Sequence, residues 1–161
     1  YTPLVQTDHD LLSLGSLDRI QNIDLEAGVA VVGAGIQLNR LVEGLARHGA
    51  AIANLGDIDK QTLGGAVATG THGTGIDIAS LSSQIVALNL VNGLGETVEL
   101  EAAREPALFR AAQIGLGALG VITTITLRIE PLYSLRIERG AEEFGDLLPR
   151  VDERGSSSSE L

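Results

Sequence analysis

Residues 63–75 read LGGAVATGTHGTG, five glycines separated by small apolar residues, threonines and one histidine. A run so poor in bulk is expected to fill no core, and its backbone must instead come close to something else. Gly64, Gly65, Gly70, Gly73 and Gly75 leave the main chain bare and open to positive φ, so that amides can be aimed at a ligand that approaches closely. Thr62, Thr69, Thr71 and Thr74 add hydroxyls without charge. Successive amides in a tight glycine-rich turn form an anion-binding concavity, so the expected ligand is a phosphate or another electron-rich, planar group. Leu63, Ala66 and Val67 suggest one or two helical turns with the Gly64 and Gly65 amides free at the N-terminus, where geometry and dipole also favour an anion. The competing reading is a flexible surface loop. Such loops usually carry Ser, Asn, Lys or Glu, whereas this one interleaves Ala, Val and Thr as a packed segment does.

At 161 residues the chain has room for one ordinary core or for part of a larger domain. It contains no Met, Cys or Trp and opens on Tyr1-Thr2-Pro3, which is the expectation for a piece of a longer polypeptide. Two Tyr and two Phe are the only aromatic residues, so a hydrophobic share of 44% has to build its core from Val, Ile, Leu and Ala. Mixed α/β packing follows, with β-branched strands against Leu- and Ala-rich helices. A formal charge of −10, with eleven scattered basic residues, argues against a nucleic-acid partner. No run of the roughly eighteen apolar residues needed to span a bilayer occurs, and no signal-peptide pattern precedes Tyr1. A cytoplasmic location is therefore expected, with no membrane association indicated. The lack of Cys removes disulfides, thiolate metal sites and cysteine nucleophiles, and leaves the redox compartment undetermined.

Along the chain, 10–14 is a strand candidate and 20–33 reads as a hairpin bent at Gly28. From Ile36 the period changes: Leu38, Leu41, Val42 and Leu45 fall on one helical face, and Gly49 closes the helix. Gly33-Ala34-Gly35 between strand and helix invites the dinucleotide fingerprint G-x-G-x-x-G, but Leu38 stands at its third glycine, and a plain helix start is preferred. Asp57 and Asp59 are assigned to turn formation and helix capping rather than to a metal. A strand at 85–91 is reversed by Asn92-Gly93-Leu94-Gly95 into 96–100, and Glu105-Pro106 opens a helix bearing Leu108, Phe109, Ala112 and Gln113. Gly115, Gly117 and Gly120 break that helix. The clearest alternation follows over 121–129, ended by Pro131. Beyond Tyr133 one more strand at 135–139, a polar helix at 141–151 interrupted by Pro149 and a Ser-rich tail at 155–161 are expected.

The three histidines, His9, His48 and His72, share no face and no metal-ligand spacing, so no zinc or iron site is assigned. His48 ends a helix and reads as structural. His72 either donates to a ligand oxygen or fixes carbonyls of its own loop, and the sequence leaves both open. No G-x-S-x-G elbow or Ser/His/Asp set can be assembled, and Lys60 precedes the glycines where a P-loop needs it after them. From the residues alone the reading is a ligand-binding α/β domain.

The run Asn54-Leu55-Gly56-Asp57-Ile58-Asp59-Lys60-Gln61-Thr62 followed by LGGAVATGTHGTG resembles the FAD-binding domain of the flavin-linked sugar-lactone and alditol oxidases, of the vanillyl-alcohol oxidase type. The resemblance extends from Tyr1-Thr2-Pro3 through Leu116-Gly117-Ala118-Leu119-Gly120-Val121-Ile122-Thr123 to Glu130-Pro131. It implies an α+β fold: the second lobe of a PCMH-type FAD-binding domain, incomplete, with a mixed or antiparallel sheet flanked by helices. It places Thr62, Leu63, Gly64, Gly65, Val67, Ala68, Thr69, Gly70, His72, Gly73 and Thr74 along the flavin and its pyrophosphate. Thr62 would face the substrate side of the ring, and no other catalytic residue is assigned. Gly120, Val121 and Ile122 would meet the adenine end through backbone groups.

Two departures from the family pattern stand out. The G-x-G-H-S loop, whose glycines wrap the pyrophosphate and whose His often bonds the flavin, is absent before Tyr1. Too few residues follow Pro131 for the cap domain that shapes the substrate pocket. The division implied is an FAD-binding domain over 1–133, lacking its N-terminal lobe, and the start of a truncated cap region over 134–161. The activity implied for the parent is oxidation of a polyol or sugar-lactone CH–OH group by hydride transfer to FAD, with O₂ or another acceptor, the isolated chain being inactive. The alternatives are a non-catalytic fragment that needs a missing chain, and a UDP-sugar flavin reductase of the same superfold.

Overall fold

A computed structural model describes residues 6–75, 77–137, 140–141 and 143–150. Five strands form one antiparallel sheet: β1 (Ile20–Asp24), β2 (Val29–Gly33), β4 (Ile85–Val91), β5 (Thr97–Glu101) and β6 (Val121–Arg128). Their spatial order is β1-β2-β6-β4-β5, so the last long strand of the sequence lies at the centre. Alternation explains why β6 can be there: Ile125 and Leu127 are fully buried, as is most of Ile129 beyond the strand's end, while the residues between them face the other way. One row of buried side chains crosses the sheet, with Val32 paired to Ile125, Ile125 to Leu88, and Leu88 to Leu100.

Three helices close over this core. They are α1 (Leu38–Ala46), α2 (Leu63–Ala68) and α3 (Pro106–Gln113), contributing respectively Leu38, Leu41 and Leu45; Leu63, Ala66 and Val67; and Phe109 and Ala112. The amphipathic stripe read over 38–45, the hairpin bent at Gly28 and the Pro-initiated helix are all present. The Asn92 turn owes its tightness to the side chain, whose Oδ1 accepts from the amides of Leu94 (2.9 Å) and Glu96 (3.0 Å). Because Glu96 belongs to that turn, β5 starts at Thr97 rather than Glu96.

Several expectations need correction. Residues 10–14 form no strand; Leu11 and Leu12 are exposed, and the chain turns between Leu14 and Leu17 and lies across Gly33 and Gly35. A strand needs a partner edge, and the path over the β2–α1 crossing takes this segment away from one. The extended run does end at Pro131, but not as one strand: β6 stops at Arg128, and after Ile129 the chain re-pairs as β7 (Glu130–Pro131) with β3 (Ala50–Ala51), a two-stranded sheet unsignalled in the sequence. Residues 135–137 are irregular, and 138–139 lie outside the described residues. The expected helix over 141–151 is a single turn, α4 (Phe144–Leu147), tightened into a 3₁₀ turn at Leu148–Arg150; Ala141 and Glu143 stay outside it, while Glu142, Val151 and the tail lie outside the described residues.

An ion pair joins the segment before β1 to α1. Arg40 Nη1 donates to Asp18 Oδ2 at 2.6 Å, and this hydrogen bond, aided by the guanidinium charge, holds the Asp18 carboxyl below its ordinary range. A depressed carboxyl pKa stabilises the fold above the unfolded value, about 3.9, and that contribution disappears as pH falls through the folded value. The pair is solvent-exposed and therefore weak and salt-sensitive. In an NMR carboxyl titration Asp18 should titrate low in the native protein and return upward in Arg40→Gln; an unmoved Asp18 in that variant would remove Arg40 as the cause.

Candidate functional site

The glycine-rich run divides into a helix and a loop. Thr62 caps α2, its Oγ1 accepting from the Gly65 amide at 3.4 Å. The other first-turn amides are not free. Leu63 N–H donates to the Ile36 carbonyl and Gly64 N–H to the Ala34 carbonyl, each at 2.8 Å. The expected amide anion site at Gly64 and Gly65 is thus absent, because a helix start buried against the β2–α1 crossing must satisfy its orphan donors there. Nor is the run empty of core residues: Leu63, Ala66 and Val67 are fully buried, since even a short helix can present one apolar stripe to the sheet.

The same exchange satisfies α1. Its Leu38 and Asn39 amides donate to the carbonyls of Gln61 and Asp59, each at 3.0 Å, with Gln37 bridged to Thr62. Asp59 therefore serves α1 through its backbone, and neither Asp57 nor Asp59 caps a helix with its carboxylate. Gly33 and Gly35 are no phosphate cradle either. Their amides donate to the carbonyls of Arg19 and Leu17, and a Cβ at either would strike the backbone of the 14–17 turn.

Past α2 the Thr69 hydroxyl turns back to the Gly65 carbonyl at 2.9 Å, and Gly70 turns the chain at φ 68°. Of the two roles open to His72, the structure shows the local one: Nδ1 lies 2.7 Å from the Gly73 carbonyl, which requires the ring to donate there. Nε2 of this exposed ring is left for another partner. His48 similarly bonds the Gly44 carbonyl through Nδ1 at 2.9 Å, as a structural residue at a helix end does. Thr62, Gly65, Thr69, His72 and Thr74 are exposed, Ala68, Gly70 and Gly73 half-buried, and Leu63, Gly64 and Val67 buried.

Gly120, Val121 and Ile122 come from far along the chain, yet Ala34 joins them to α2. The Ala34 amide donates to the Thr123 carbonyl at 3.0 Å while its own carbonyl takes the Gly64 amide. Strand β2 ends its pairing at Gly33 opposite Thr124, so β6 runs on past it and no β2 residue stands opposite Ile122 or Val121. Gly120, at φ 142°, packs so tightly on the Val91 carbonyl that no side chain could be accommodated. Leu116, in the turn before it, sits at φ 50° and is exposed.

A cleft of about 370 Å³ lies between the 56–61 and 69–72 segments, with Asp57, Gln61, Thr69, Thr71 and His72 in its wall. Gln61 Nε2 reaches Thr71 Oγ1 across it at 3.4 Å. Thr71 is among the hydroxyls that the sequence offers to a ligand but not among the assigned cofactor contacts, and Gln61 and Ala34 are in neither group; the place of Gln61 immediately before the Thr62 cap is the available signal. A larger cavity, about 630 Å³, is walled by Ala53, Asp77, Arg128, Glu130 and Tyr133 and includes none of the sequence-assigned contacts. No group of three or more His, Cys, Asp or Glu side chains suited to a metal occurs among the described residues, and no described helix is long and apolar enough to cross a membrane.

The family described as "FAD binding domain" matches residues 2–101. The chain belongs to this family. Relatives match further: the L-gulono-1,4-lactone dehydrogenase of Mycobacterium tuberculosis is 36% identical over 95% of this chain and 35% of its own length. The L-gulonolactone oxidase of Mus musculus is 39% identical over 91% and 33%. The D-arabinono-1,4-lactone oxidase of Saccharomyces cerevisiae is 35% identical over 94% and 30%. The chain thus spans about a third of the length of these relatives. Among solved structures, alkyldihydroxyacetonephosphate synthase superposes with a TM-score of 0.68 at 22% identity, covering 79% of this chain and 23% of that one, which shows the shared PCMH-type fold.

FAD is the cofactor of this domain family, and the described residues fit part of it. Exposed hydroxyls and half-buried glycines without fixed charge suit a flavin ring, and the β6 backbone beyond Gly33 suits a base edge. The pyrophosphate is not matched by the first turn of α2, whose amides are already bonded.

Proposed function

We propose that this chain is the cofactor-holding part of an enzyme that oxidises a CH–OH group of a sugar lactone or related polyol. What carries the reading is that relatives named as lactone oxidases and a lactone dehydrogenase match along nearly all of this chain. FAD, when bound, supplies the two-electron acceptor for such a reaction. The chain's own contribution is orientation. Thr62 offers an exposed hydroxyl at the start of α2, on the substrate side in this reading. Thr69, Gly70, His72, Gly73 and Thr74 form the neighbouring surface, and Gly120, Val121 and Ile122 hold the far end through backbone groups. The burial of Leu63, Gly64 and Val67 makes them the packing beneath that surface.

The names of the relatives, oxidase in some and dehydrogenase in another, leave both O₂ and a different acceptor open to this enzyme. The domain is proposed to extend to Tyr133. In support, Tyr133 Oη donates to the Ile52 carbonyl at 3.1 Å and the Leu132 amide to the Gly49 carbonyl at 2.8 Å, docking 130–133 against the region after α1. The substrate-shaping groups belong to the two thirds of the relatives' length that this chain does not match, and a cytoplasmic location is part of the same proposal.

Titrating the purified 161-residue protein with FAD and following flavin fluorescence tests this. Weak, reversible binding without turnover of L-gulono-1,4-lactone is the expected result. Complete indifference to FAD would support a non-catalytic remnant; tight yellow holo-protein that releases peroxide with an alditol would overturn the expected inactivity, and NADPH consumption would favour a flavin reductase.

A further inference from the structure

We propose that Asn54 is a positioning residue that latches the two limbs of the loop carrying His72, Gly73 and Thr74, and so sets the affinity of the cofactor surface. Asn54 and Ser82 are the two buried polar residues of the described core, Asn54 being 8% exposed. A carboxamide in that position must use its hydrogen-bonding groups or cost the fold their desolvation. Its Nδ2 donates to the Ala79 carbonyl at 2.8 Å, on the outgoing limb. On the incoming limb the backbone of Gly73 packs directly on the same carboxamide. A Cβ at Gly73 would lie 2.6 Å from the Leu55 carbonyl oxygen and closer still to Asn54 Oδ1, so this contact exists only because residue 73 is glycine. The carboxamide therefore stands between 71–75 and 77–81, touching both.

The surroundings anchor the latch. The Leu81 amide donates to the Thr71 carbonyl at 2.9 Å and closes the base of the loop, an arrangement in which a compact loop is filled by a side chain rather than by further backbone pairing. Gln84 Nε2 donates to the Asn54 carbonyl at 3.1 Å. Ser82 Oγ donates to the Val67 carbonyl at 2.9 Å, and Gln113 Nε2 to the Ser82 carbonyl at 2.7 Å, fixing the outgoing limb to α2 and α3. None of these side chains is among the sequence-assigned cofactor contacts. Asn54 reaches the ligand surface only through Gly73, whose carbonyl is also the partner of His72 Nδ1. Loosening Asn54 therefore releases the His72 ring as well as the loop. The role in cofactor binding rests on the reading of this surface as flavin-contacting; the latch itself does not.

The test compares the native chain with Asn54→Leu, which keeps the branching at Cγ but removes the hydrogen-bonding groups, and with Gly73→Ala, which attacks the same contact from the other limb. Hydrogen exchange of the Leu81 amide is read against that of Ile129, whose amide donates to the Gly28 carbonyl just beyond the β2–β6 pairing. Leu81 is expected to exchange roughly tenfold faster or more relative to Ile129 in both variants, with FAD binding weakened by about tenfold and the visible circular dichroism of added FAD altered. Should Asn54→Leu fail to fold, Asn54→Asp, which keeps the shape but loses the Nδ2 donor, takes its place; Gly73→Ala reports on the latch through Leu81 exchange, because Gly73 itself lies on the proposed cofactor surface. Unchanged Leu81 exchange overturns the latch. Faster exchange with unaltered FAD affinity and dichroism overturns the positioning role. If the native chain binds no FAD while Leu81 still responds, the cofactor reading falls and the latch stands.

Discussion

Ile125→Ala is expected to lower the unfolding free energy by about 2–5 kcal/mol, the range for removing a buried aliphatic side chain where the surroundings collapse only partly. Ile125 is fully buried in the central strand, paired with Val32 on one side and Leu88 on the other, and that row continues to Leu100. A cavity there touches both halves of the sheet at once. The adjacent Thr124, half-buried on the other side of the strand, should tolerate alanine far better. Urea unfolding followed by far-ultraviolet circular dichroism reads both; a lower midpoint with an unchanged slope is the expected pattern for Ile125→Ala, and equal effects at 124 and 125 would contradict the assignment of the buried face.

Gly64→Val should separate cofactor binding from general stability. An ideal Cβ at Gly64 stands 3.1 Å from both the Cβ and the carbonyl oxygen of Ala34, and the Gly64 amide is bonded to that oxygen. The branched side chain has no room, so α2 must lift from Ala34, the residue that also holds β6 through Thr123. Overpacking of this kind costs about 1–3 kcal/mol. Because α2 and the start of β6 supply the two halves of the proposed cofactor surface, FAD binding should weaken by about tenfold or more, beyond what the lost stability explains. Gly93→Ala is the control: a Cβ there meets nothing within 4 Å and the hairpin turn is exposed. Retained FAD affinity in a measurably destabilised Gly64→Val would take the first turn of α2 out of the site.

The elements that were legible share a local cause. The Leu38, Leu41 and Leu45 stripe, the Pro106 helix start, the Asn92 turn and the alternation around Ile125 are set by neighbours within a few residues, and each appears in place. The misreadings also share one. The 10–14 strand and the free amides of Gly64 and Gly65 rest on local pattern where the outcome turns on a partner distant in sequence. Asn54 was visible only as part of a family-like run; its burial and its bond to Ala79 depend on how a loop folds back over it.

By itself, then, the sequence determined most of the kinds of elements, an aliphatic core without Cys or Met, and an uncharged run of small residues and hydroxyls over 62–75, because composition and periodicity are properties of the chain alone. Only the tertiary structure decided which amides of that run remain available and what lies beneath it. Every buried N–H must find an acceptor, and the acceptors chosen, Ala34 and Ile36, belong to a segment nearly thirty residues earlier. That exchange turns the first half of the glycine run into a packed helix and leaves the second half, where Gly73 packs on Asn54, as the proposed surface for a ligand.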